Sequence, residues 1–502
     1  MKKSWNWGKK GQFALNAAIL TASSMAMRLL GMAFTAYLSN KIGAEGVGVY
    51  QLLLSVYSFG VTLSIGGVGL ASTRLAADQL ARGRPAGARS AVAKCVCIGL
   101  FCSLLACALL FWGADRAAEA WFHSKISGLP LRALALSLPF MAAAAALSGY
   151  FTAVRRVAKS ASAQILEHLT HILAASALLT LAAPRGLEPA CLALAAGGAL
   201  SELCSFLYLF FLYRRDIRRL GPGDAGQKVP YRRALSICLP VGLSSLVRSA
   251  INTAKQIMVP VGLEKYGVGC DLALAQYGAI RGMAMPILQF PSALLAACSS
   301  LLIPEITEEA VRGGRGRINR LTGRVFQITL LFSVGAAAIL FVYARPLSMA
   351  FYRDPQAAHF LRILAPIVVI MYLDDMTDAL LKGLDQQARL AKINVAESFL
   401  SLLLLAWLLP ALGIYGYLAC LFFSEIFNGA LSVNCLMEQT GLRLRWGDWL
   451  LRPALCAGGA CWLARRLAPG DPLWAVPLAC GLYLLLLALF LPRRAPACPE
   501  KG

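Results

Sequence analysis

The sequence predicts an all-α polytopic membrane protein of about 14 transmembrane helices, built as two six-helix lobes related by a pseudo-two-fold axis along the membrane normal plus two C-terminal helices. Of its 502 residues, 58% are hydrophobic and only 15% are charged, too few charges to cover a soluble protein. The apolar residues fall into runs of about 20, the length that crosses a bilayer as a helix. The loops between these runs are short and leave no room for a folded domain outside the membrane.

Each apolar run is taken as one helix, because an open sheet cannot satisfy its backbone hydrogen bonds in lipid. The runs are continuous in hydrophobicity and are separated by short charged or glycine-containing segments. In chain order, the predicted spans are 12–39, 47–72, 91–113, 129–153, 161–182, 187–213, 233–260, 272–303, 323–344, 358–381, 392–410, 413–436, 448–464 and 473–491.

The long loop 214–232 divides the spans into comparable halves, and the region around Arg28 in the first half is echoed around Arg248 in the second. Each half holds an even number of spans, so both have the same orientation, and two such lobes can open a central cavity to either side of the membrane in turn. The predicted domains are an N-lobe at 1–225 (spans 1–6), a C-lobe at 226–440 (spans 7–12) and a C-terminal helix pair at 441–502 (spans 13–14).

Basic residues are distributed unevenly over the predicted loops. The chain has 48 Lys and Arg against 25 Asp and Glu, a net charge of +23. With the N-terminus in the cytoplasm, 32 of the 48 fall in inner loops or termini and only nine in outer loops, as the positive-inside rule requires. We therefore predict a multi-pass protein of the cytoplasmic (cell) membrane with both termini cytoplasmic. We then expect the excess positive charge to interact with anionic membrane lipids and not with nucleic acid.

The cysteines and histidines indicate neither a disulfide framework nor a metal site. Most of the 15 cysteines lie within or at the ends of apolar runs, where they act as small packing residues. The pair Cys95 and Cys97 has no second pair or histidine cluster to complete a metal site, and the chain contains four histidines in all. We therefore expect no metal and no cofactor.

Several segments, in their order and spacing, resemble the stage V sporulation protein B family. These are Arg28-Leu-Leu-Gly31 followed by 42–51, Tyr277-Gly-Ala-Ile-Arg281 running on to Pro286, Leu381-Lys-Gly-Leu-Asp-Gln-Gln387, and Gly413-Ile-Tyr-Gly-Tyr417. The family lies in the polysaccharide-transporter branch of the multidrug/oligosaccharidyl-lipid/polysaccharide exporter superfamily, which is related to the lipid II flippases. The resemblance covers about residues 12 to 440, and the span count fits the fourteen-helix members.

The resemblance implies a transporter, not an enzyme, which moves an undecaprenyl-diphosphate-linked oligosaccharide or peptidoglycan precursor across the cytoplasmic membrane. In the related lipid II flippases, cavity arginines bind the diphosphate, and Arg28 and Arg281 match two arginines of the family pattern. Phe34 stands where a second arginine of the first span is expected, and 47–72 contains no basic residue, so the sugar stays open. We expect enzymes of cell-wall synthesis as partners. The relation to sporulation rests on the family resemblance alone.

Four basic residues lie well inside predicted spans: Arg28, Arg281, Arg248 and Lys255. A charge at this depth is costly and usually faces a cavity or a partner. Because guanidinium groups bind diphosphate oxygens in a bidentate manner, these four residues are the predicted diphosphate-binding set. The alternative is that each neutralises an intramembrane carboxylate, of which the chain has several: Glu167, Glu202, Asp374, Asp375, Asp378, Glu397 and Glu425.

Some of these carboxylates are also candidates for coupling transport to a proton or sodium gradient. Asp374, Asp378 and Lys382 share one helix face, and they form either a cation-binding site or a self-paired strip. Glu167 is four residues from His171, which allows a titrating pair or an ordinary interhelical hydrogen bond. Glu202 completes the predicted coupling set of Asp374, Asp378, Glu167 and Glu202.

Pro286 and Pro291 interrupt the predicted eighth span and are candidate hinges, although they could equally do no more than shape the bundle. The C-terminal pair lies outside the repeat and could form a groove for a prenyl tail.

Two rival functions stay open. One is a cation-coupled multidrug antiporter of the same superfamily, disfavoured because the first span has Arg28 and no carboxylate. The other is a membrane-embedded glycan polymerase, disfavoured because the outer loops are too short to carry a catalytic site.

Overall fold

The computed structural model describes residues 7–121, 126–219, 229–296, 306–307, 315–441, 447–468 and 472–490, and throughout these ranges the regular structure is helical, with no strand. The predicted all-α membrane fold is confirmed. The helices before the middle of the chain are α1 Trp7–Ile65, α2 Val68–Ala81, α3 Pro85–Trp121, α4 Leu129–Ala135, α5 Leu138–Ala153, α6 Val157–Ala182, α7 Leu187–Arg219 and α8 Tyr231–Lys265.

The later helices are shorter and more often interrupted. They are α9 Cys270–Gly278, α10 Met285–Gln289, α11 Arg315–Val342, α12 Ala344–Phe351, α13 Pro355–Leu364, α14 Val368–Gly383, α15 Gln387–Leu412, α16 Ile414–Thr440, α17 Arg452–Leu467 and α18 Pro472–Phe490. Two π-helical turns, Ala279–Ala284 and Gly447–Leu451, precede α10 and α17.

Within the described ranges, ten helices are long and apolar enough to cross a membrane, and a shorter apolar helix covers Trp474–Phe490. The predicted number of 14 is therefore not confirmed. One reason is that Met25–Ala81 counts as a single stretch of 57 residues. At 1.5 Å per residue such a stretch is roughly 85 Å long, more than twice the hydrocarbon core. It breaks at Gly43, whose φ of 70° is not helical, and so can hold the two predicted spans.

The predicted eighth span is not one helix. Its residues form α9, a π-helical turn and the five-residue α10, and the chain turns at Phe290–Pro291. The end of this predicted span, 297–303, lies outside the described residues. The thirteenth predicted span corresponds to α17, which has 16 residues.

By their contacts, the residues group into two compact units. One is discontinuous and contains Met1–Asn40 and Ala275–Gly502; the other is continuous and contains Lys41–Leu274. These divisions differ from the predicted boundaries at 225/226 and 440/441, because packing joins the first part of α1 to later helices and α8 to earlier ones. The helix pair α17–α18 packs in the discontinuous unit, against α11. The division into an N-lobe, a C-lobe and a separate helix pair as functional parts stays a prediction.

In the continuous unit, the junction between α1 and α2 lies directly against the backbone of α8. A Cβ atom added at Gly66 would lie 3.0 Å from the Gly242 Cα, and one added at Gly67 would lie 2.6 Å from the Cys238 carbonyl oxygen. Cys238 also packs with Cys95 in an apolar core between α2, α3 and α8, in agreement with the packing role expected of the cysteines. Glycine is needed here because no side chain fits between the two backbones.

We expect Gly67→Ala to destabilise the protein by about 2 kcal/mol or more, because it combines the left-handed strain of φ 75° with a clash against α8. Gly83→Ala is the matched control. Its φ is +69°, but an added Cβ would have no atom within 4 Å, so only the strain of about 1 kcal/mol is expected. Thermal unfolding of the purified variants in detergent measures both. Equal losses would show that close packing at Gly67 contributes nothing.

Candidate functional site

The discontinuous unit contains a polar cavity of about 580 Å³, formed by α1, α10, the segment after α10, α14, α15 and α16. One side is provided by α1 and carries the single basic residue of the lining, Arg28. Helices α14, α15 and α16 provide four carboxylates. The lining residues are Arg28, Gly31, Met32, Thr35, Pro286, Gln289, Phe290, Ser292, Met371, Asp374, Asp375, Glu397, Ser424, Glu425 and Asn428.

Arg28 is exposed to the cavity and is fixed at one end by neutral partners. Its Nη1 donates to the backbone oxygen of Gln289 at 3.0 Å and to the hydroxyl of Ser292 at 3.0 Å. Among the described residues Arg28 forms no ion pair within 4.0 Å. Its positive charge is therefore held in place by neutral partners, and it interacts with Asp375, a carboxylate of the same cavity, without an ion pair within 4.0 Å. Both roles of Arg28, as a diphosphate ligand and as the neutraliser of an intramembrane acid, stay predictions.

The most buried carboxylate of this cavity is that of Asp374, a residue only 8% exposed. Asp374 Oδ2 accepts a hydrogen bond of 2.6 Å from the Asn428 amide. Its other oxygen, Oδ1, and the Asn428 amide oxygen are buried and find no donor among the described residues. Because a buried acceptor without a donor is costly, a proton or a small cation on Asp374 would stabilise this arrangement.

Glu397 and Glu425 also line this cavity. The sequence predicts them as intramembrane carboxylates, but not as members of the diphosphate-binding or ion-coupling sets. Glu397 accepts hydrogen bonds from Ser424 and from Ser398, the latter at 3.1 Å. A signal was present in the sequence: Ser424, Glu425 and Asn428 are polar residues of one helical turn inside an apolar run. Spacing along the chain does not show that this turn lines the same cavity as Arg28.

Asp378, which shares a helix face with Asp374, does not line this cavity. Its Oδ2 lies 3.9 Å from Lys382 Nζ, so the strip is partly self-paired, as one of the two interpretations proposed. The two aspartates of the predicted coupling pair therefore have different surroundings. Only Asp374 contacts the cavity that contains Arg28.

Arg281 lies in the same unit but outside this cavity. It belongs to the π-helical turn Ala279–Ala284, is hydrogen-bonded to Tyr277 and lies close to Tyr417. Arg248 and Lys255 belong to α8 in the continuous unit. The predicted four-residue diphosphate set is thus divided between the two units, and only Arg28 lines the cavity described above. The role of the other three stays a prediction.

A second group of carboxylates lies in the continuous unit, in a cavity of about 440 Å³ between α2, α5, α6 and α7. Glu167, His168 and Glu202 line it, and Ser205 donates to Glu167 at 3.2 Å. Glu202 is 9% exposed. The histidine at this cavity is His168, whereas the predicted partner of Glu167, His171, is not among the lining residues.

The predicted hinge prolines lie where the helix is interrupted. Pro286 is in the first turn of α10 and lines the cavity beside Arg28, and Pro291 is in the turn that follows. The hinge role stays a prediction. In contrast, Pro240 and Pro260 lie inside the continuous helix α8.

Comparison with known proteins concerns the family and the fold. Residues 13–309 match a family described as polysaccharide biosynthesis protein, and residues 317–451 match a second family with the same description. Stage V sporulation protein B of Bacillus subtilis (strain 168) is 28% identical over 422 residues, which cover 81% of this chain and 80% of that protein. The resemblance drawn from the sequence is confirmed.

Solved structures agree in fold. The lipid II flippase MurJ in an inward closed conformation superposes with a TM-score of 0.71 at 11% identity, over 94% of this chain and 98% of that one. An inward-facing multidrug resistance MATE family transporter of the MOP superfamily gives a TM-score of 0.61 at 15% identity, over 84% and 98%. At these identities the likeness concerns the fold.

Proposed function

Because the chain belongs to the polysaccharide biosynthesis protein family and is a multi-span membrane transporter of the flippase type, we propose that it moves an undecaprenyl-diphosphate-linked oligosaccharide or peptidoglycan precursor across the cytoplasmic membrane by alternating access. The observation that carries the proposal is Arg28 in a polar cavity, held by neutral partners and without an ion pair among the described residues. A guanidinium held by neutral partners keeps its remaining N–H donors available for diphosphate oxygens. The lipid-linked glycan is a proposed substrate, which the kinship to the lipid II flippase supports.

The four carboxylates of this cavity need explanation, because they repel an anionic diphosphate. If all four are ionised, they outnumber the single charge of Arg28, and the cavity disfavours an anion. A proton or sodium ion at Asp374 lowers this repulsion. We therefore propose that ion binding at Asp374 and Asn428 prepares the cavity for the diphosphate, which couples transport to an ion gradient. Apart from the coupling proton or sodium ion, no metal or organic cofactor is part of this proposal.

The remaining carboxylates suit the other part of the substrate. Carboxylate and amide groups such as Glu397, Glu425 and Asn428 accept hydrogen bonds from sugar hydroxyls as well as binding cations. Glu167 and Glu202 form a second proposed coupling site, since both line one cavity of the continuous unit.

A cation-coupled multidrug antiporter is the second candidate, and one observation favours it. The argument against it relied on the first span having an arginine and no carboxylate, but other helices bring four carboxylates to the same cavity. An acidic cavity also attracts a lipophilic cation. The glycan polymerase is not proposed further, because the relatives named above are transporters and flippases.

The orientation with both termini in the cytoplasm, and association with cell-wall synthesis enzymes and anionic lipids, are parts of the same proposal. The positive-inside distribution supports the orientation. Labelling of single cysteines placed in loops with a membrane-impermeant reagent tests it.

Reconstitution into vesicles tests the function. The purified protein is given fluorescent undecaprenyl-diphosphate sugars on one leaflet, and appearance on the other leaflet is followed with an impermeant quencher. Transport of the glycolipid, accelerated by a proton or sodium gradient, is expected. Transport of a lipophilic cation without the glycolipid would replace this proposal by the antiporter.

A further inference from the structure

A second cavity of the discontinuous unit, about 720 Å³ in volume, lies where five helix ends meet. Here α11 ends, α12 and α13 begin, α17 ends and α18 begins. Because α11 and α13 belong to helices long enough to span a membrane, their ends lie near a membrane surface. The cavity is therefore at the boundary between lipid and water, separate from the cavity that contains Arg28.

This cavity is strongly basic. Arg345, Arg362 and Arg465 line it together with His359, and no Asp or Glu is among the lining residues. Within the described ranges, none of these three arginines forms an ion pair. Three like charges that line one cavity repel one another, and its described lining offers no carboxylate, so an anion bound among them would be favoured.

The positive charge of this cavity is also unusual for the side of the membrane on which it is predicted to lie. Arg345 and Arg465 are two of only nine basic residues that the positive-inside distribution assigns to outer loops. Arginines used merely to orient the chain are expected on the opposite side. Arg345 and Arg465 come from distant parts of the chain and line one cavity together with Arg362. Orientation of the chain in the membrane does not explain this grouping.

Two of the arginines are held in position by the protein. Arg465 Nη2 donates to the Val342 backbone oxygen at 3.2 Å, and its guanidinium carbon lies 6.0 Å from the centre of the Tyr343 ring. The guanidinium carbon of Arg362 lies 4.9 Å from the centre of the Phe341 ring. These contacts orient planar groups that match phosphate oxygens, and they leave several N–H donors unused.

The surroundings favour an amphipathic anion. The cavity walls include Phe341, Pro346 and Ala475 beside the arginines. Trp462 and Trp474, on the adjoining ends of α17 and α18, are 61% and 71% exposed. Exposed tryptophans at helix ends are typical of the headgroup level of a membrane. A lipid brings a phosphate to the arginines and apolar chains to the walls.

We propose that Arg345, Arg362 and Arg465 form a binding site for the phosphoryl group of an anionic lipid headgroup. The site uses the C-terminal helix pair, which supplies Arg465, and it gives this pair a role independent of substrate binding at Arg28. The proposal does not depend on the proposed glycolipid substrate.

The test measures lipid binding to the full-length protein in detergent by native mass spectrometry. The probes are phosphatidylglycerol, zwitterionic phosphatidylcholine and inorganic phosphate. We expect phosphatidylglycerol to bind preferentially and its affinity to fall about tenfold or more in a variant carrying Arg345→Gln, Arg362→Gln and Arg465→Gln. The single variant Arg345→Gln should weaken binding in the same direction. Since no fold contact of the Arg345 side chain is observed in the described structure, this single change should not impair folding.

The matched control carries Arg116→Gln, Arg353→Gln and Arg466→Gln. It removes the same charge from other arginines predicted to face outward, none of which lines the cavity. Its phosphatidylglycerol affinity should stay within about twofold of the wild type. An equal loss in the control would overturn the proposal in favour of general electrostatic attraction. Binding of inorganic phosphate as tight as that of phosphatidylglycerol would overturn the assignment to a lipid.

Discussion

Arg28→Ala is expected to lower the rate of glycolipid transport about tenfold or more, while the fold is retained. Hydrogen bonds to a charged group contribute about 1.5–3 kcal/mol, and the substitution removes every bond that the guanidinium would make to the diphosphate. Arg28→Lys should recover part of the rate, because an ammonium keeps the charge but lacks the planar fork. Initial rates in reconstituted vesicles measure both variants.

Two controls separate substrate binding from packing. Ser292→Ala removes one neutral partner of Arg28 and leaves the guanidinium present, so its rate should fall much less than that of Arg28→Ala. Arg320→Ala removes an exposed arginine of the same unit, which lies outside the cavity, and should transport normally. A wild-type rate for Arg28→Ala would refute the diphosphate assignment. Equal losses for Arg28→Ala and Ser292→Ala would reduce Arg28 to a packing role.

Asp374→Asn is expected to abolish the acceleration of transport by an ion gradient, so that the rate with a gradient falls about tenfold, to the rate without one. Asparagine has nearly the same shape, but it takes up no proton and carries no charge to attract sodium. Stability should not fall, because the change removes a carboxylate from a site where its Oδ1 has no hydrogen-bond donor among the described residues. Transport is measured with imposed proton and sodium gradients separately, which identifies the coupling ion.

Glu438→Gln is the control for this second prediction. Glu438 carries a carboxylate and belongs to α16, the helix that also contains Asn428. It is exposed, and its Oε2 lies 3.1 Å from Arg389 Nη1. Exposed ion pairs contribute little, so both the rate and its gradient dependence should be unchanged. If Asp374→Asn keeps the full gradient response, coupling belongs elsewhere, and Glu167→Gln and Glu202→Gln in the continuous unit become the variants to compare.

The sequence allowed the helical class, the membrane and the family to be predicted, and these predictions are confirmed. It was less reliable on helix continuity, because hydrophobicity does not register the break at Gly66–Gly67 between α1 and α2, which lies inside the predicted span 47–72. At the candidate site the sequence identified Arg28 and Asp374 by one rule. A charged residue inside an apolar run is costly in lipid and therefore usually faces a cavity or a partner. Helical spacing predicts either a titrating pair or an interhelical hydrogen bond for Glu167 and His171, and this stays a prediction. The structure adds that the neighbouring His168 lines the same cavity as Glu167.

Low charge and long apolar runs by themselves determined that this chain is a membrane protein of many helices, because burial of apolar area in lipid depends on composition and length alone. The grouping of those helices was decided by packing. Only the tertiary structure brought Arg28 of α1 into one cavity with Asp374, Glu397 and Glu425, and Arg345 into one cavity with Arg465, residues that are far apart in the chain. Spacing along a helix tells which residues share a face, but not which other helix that face meets.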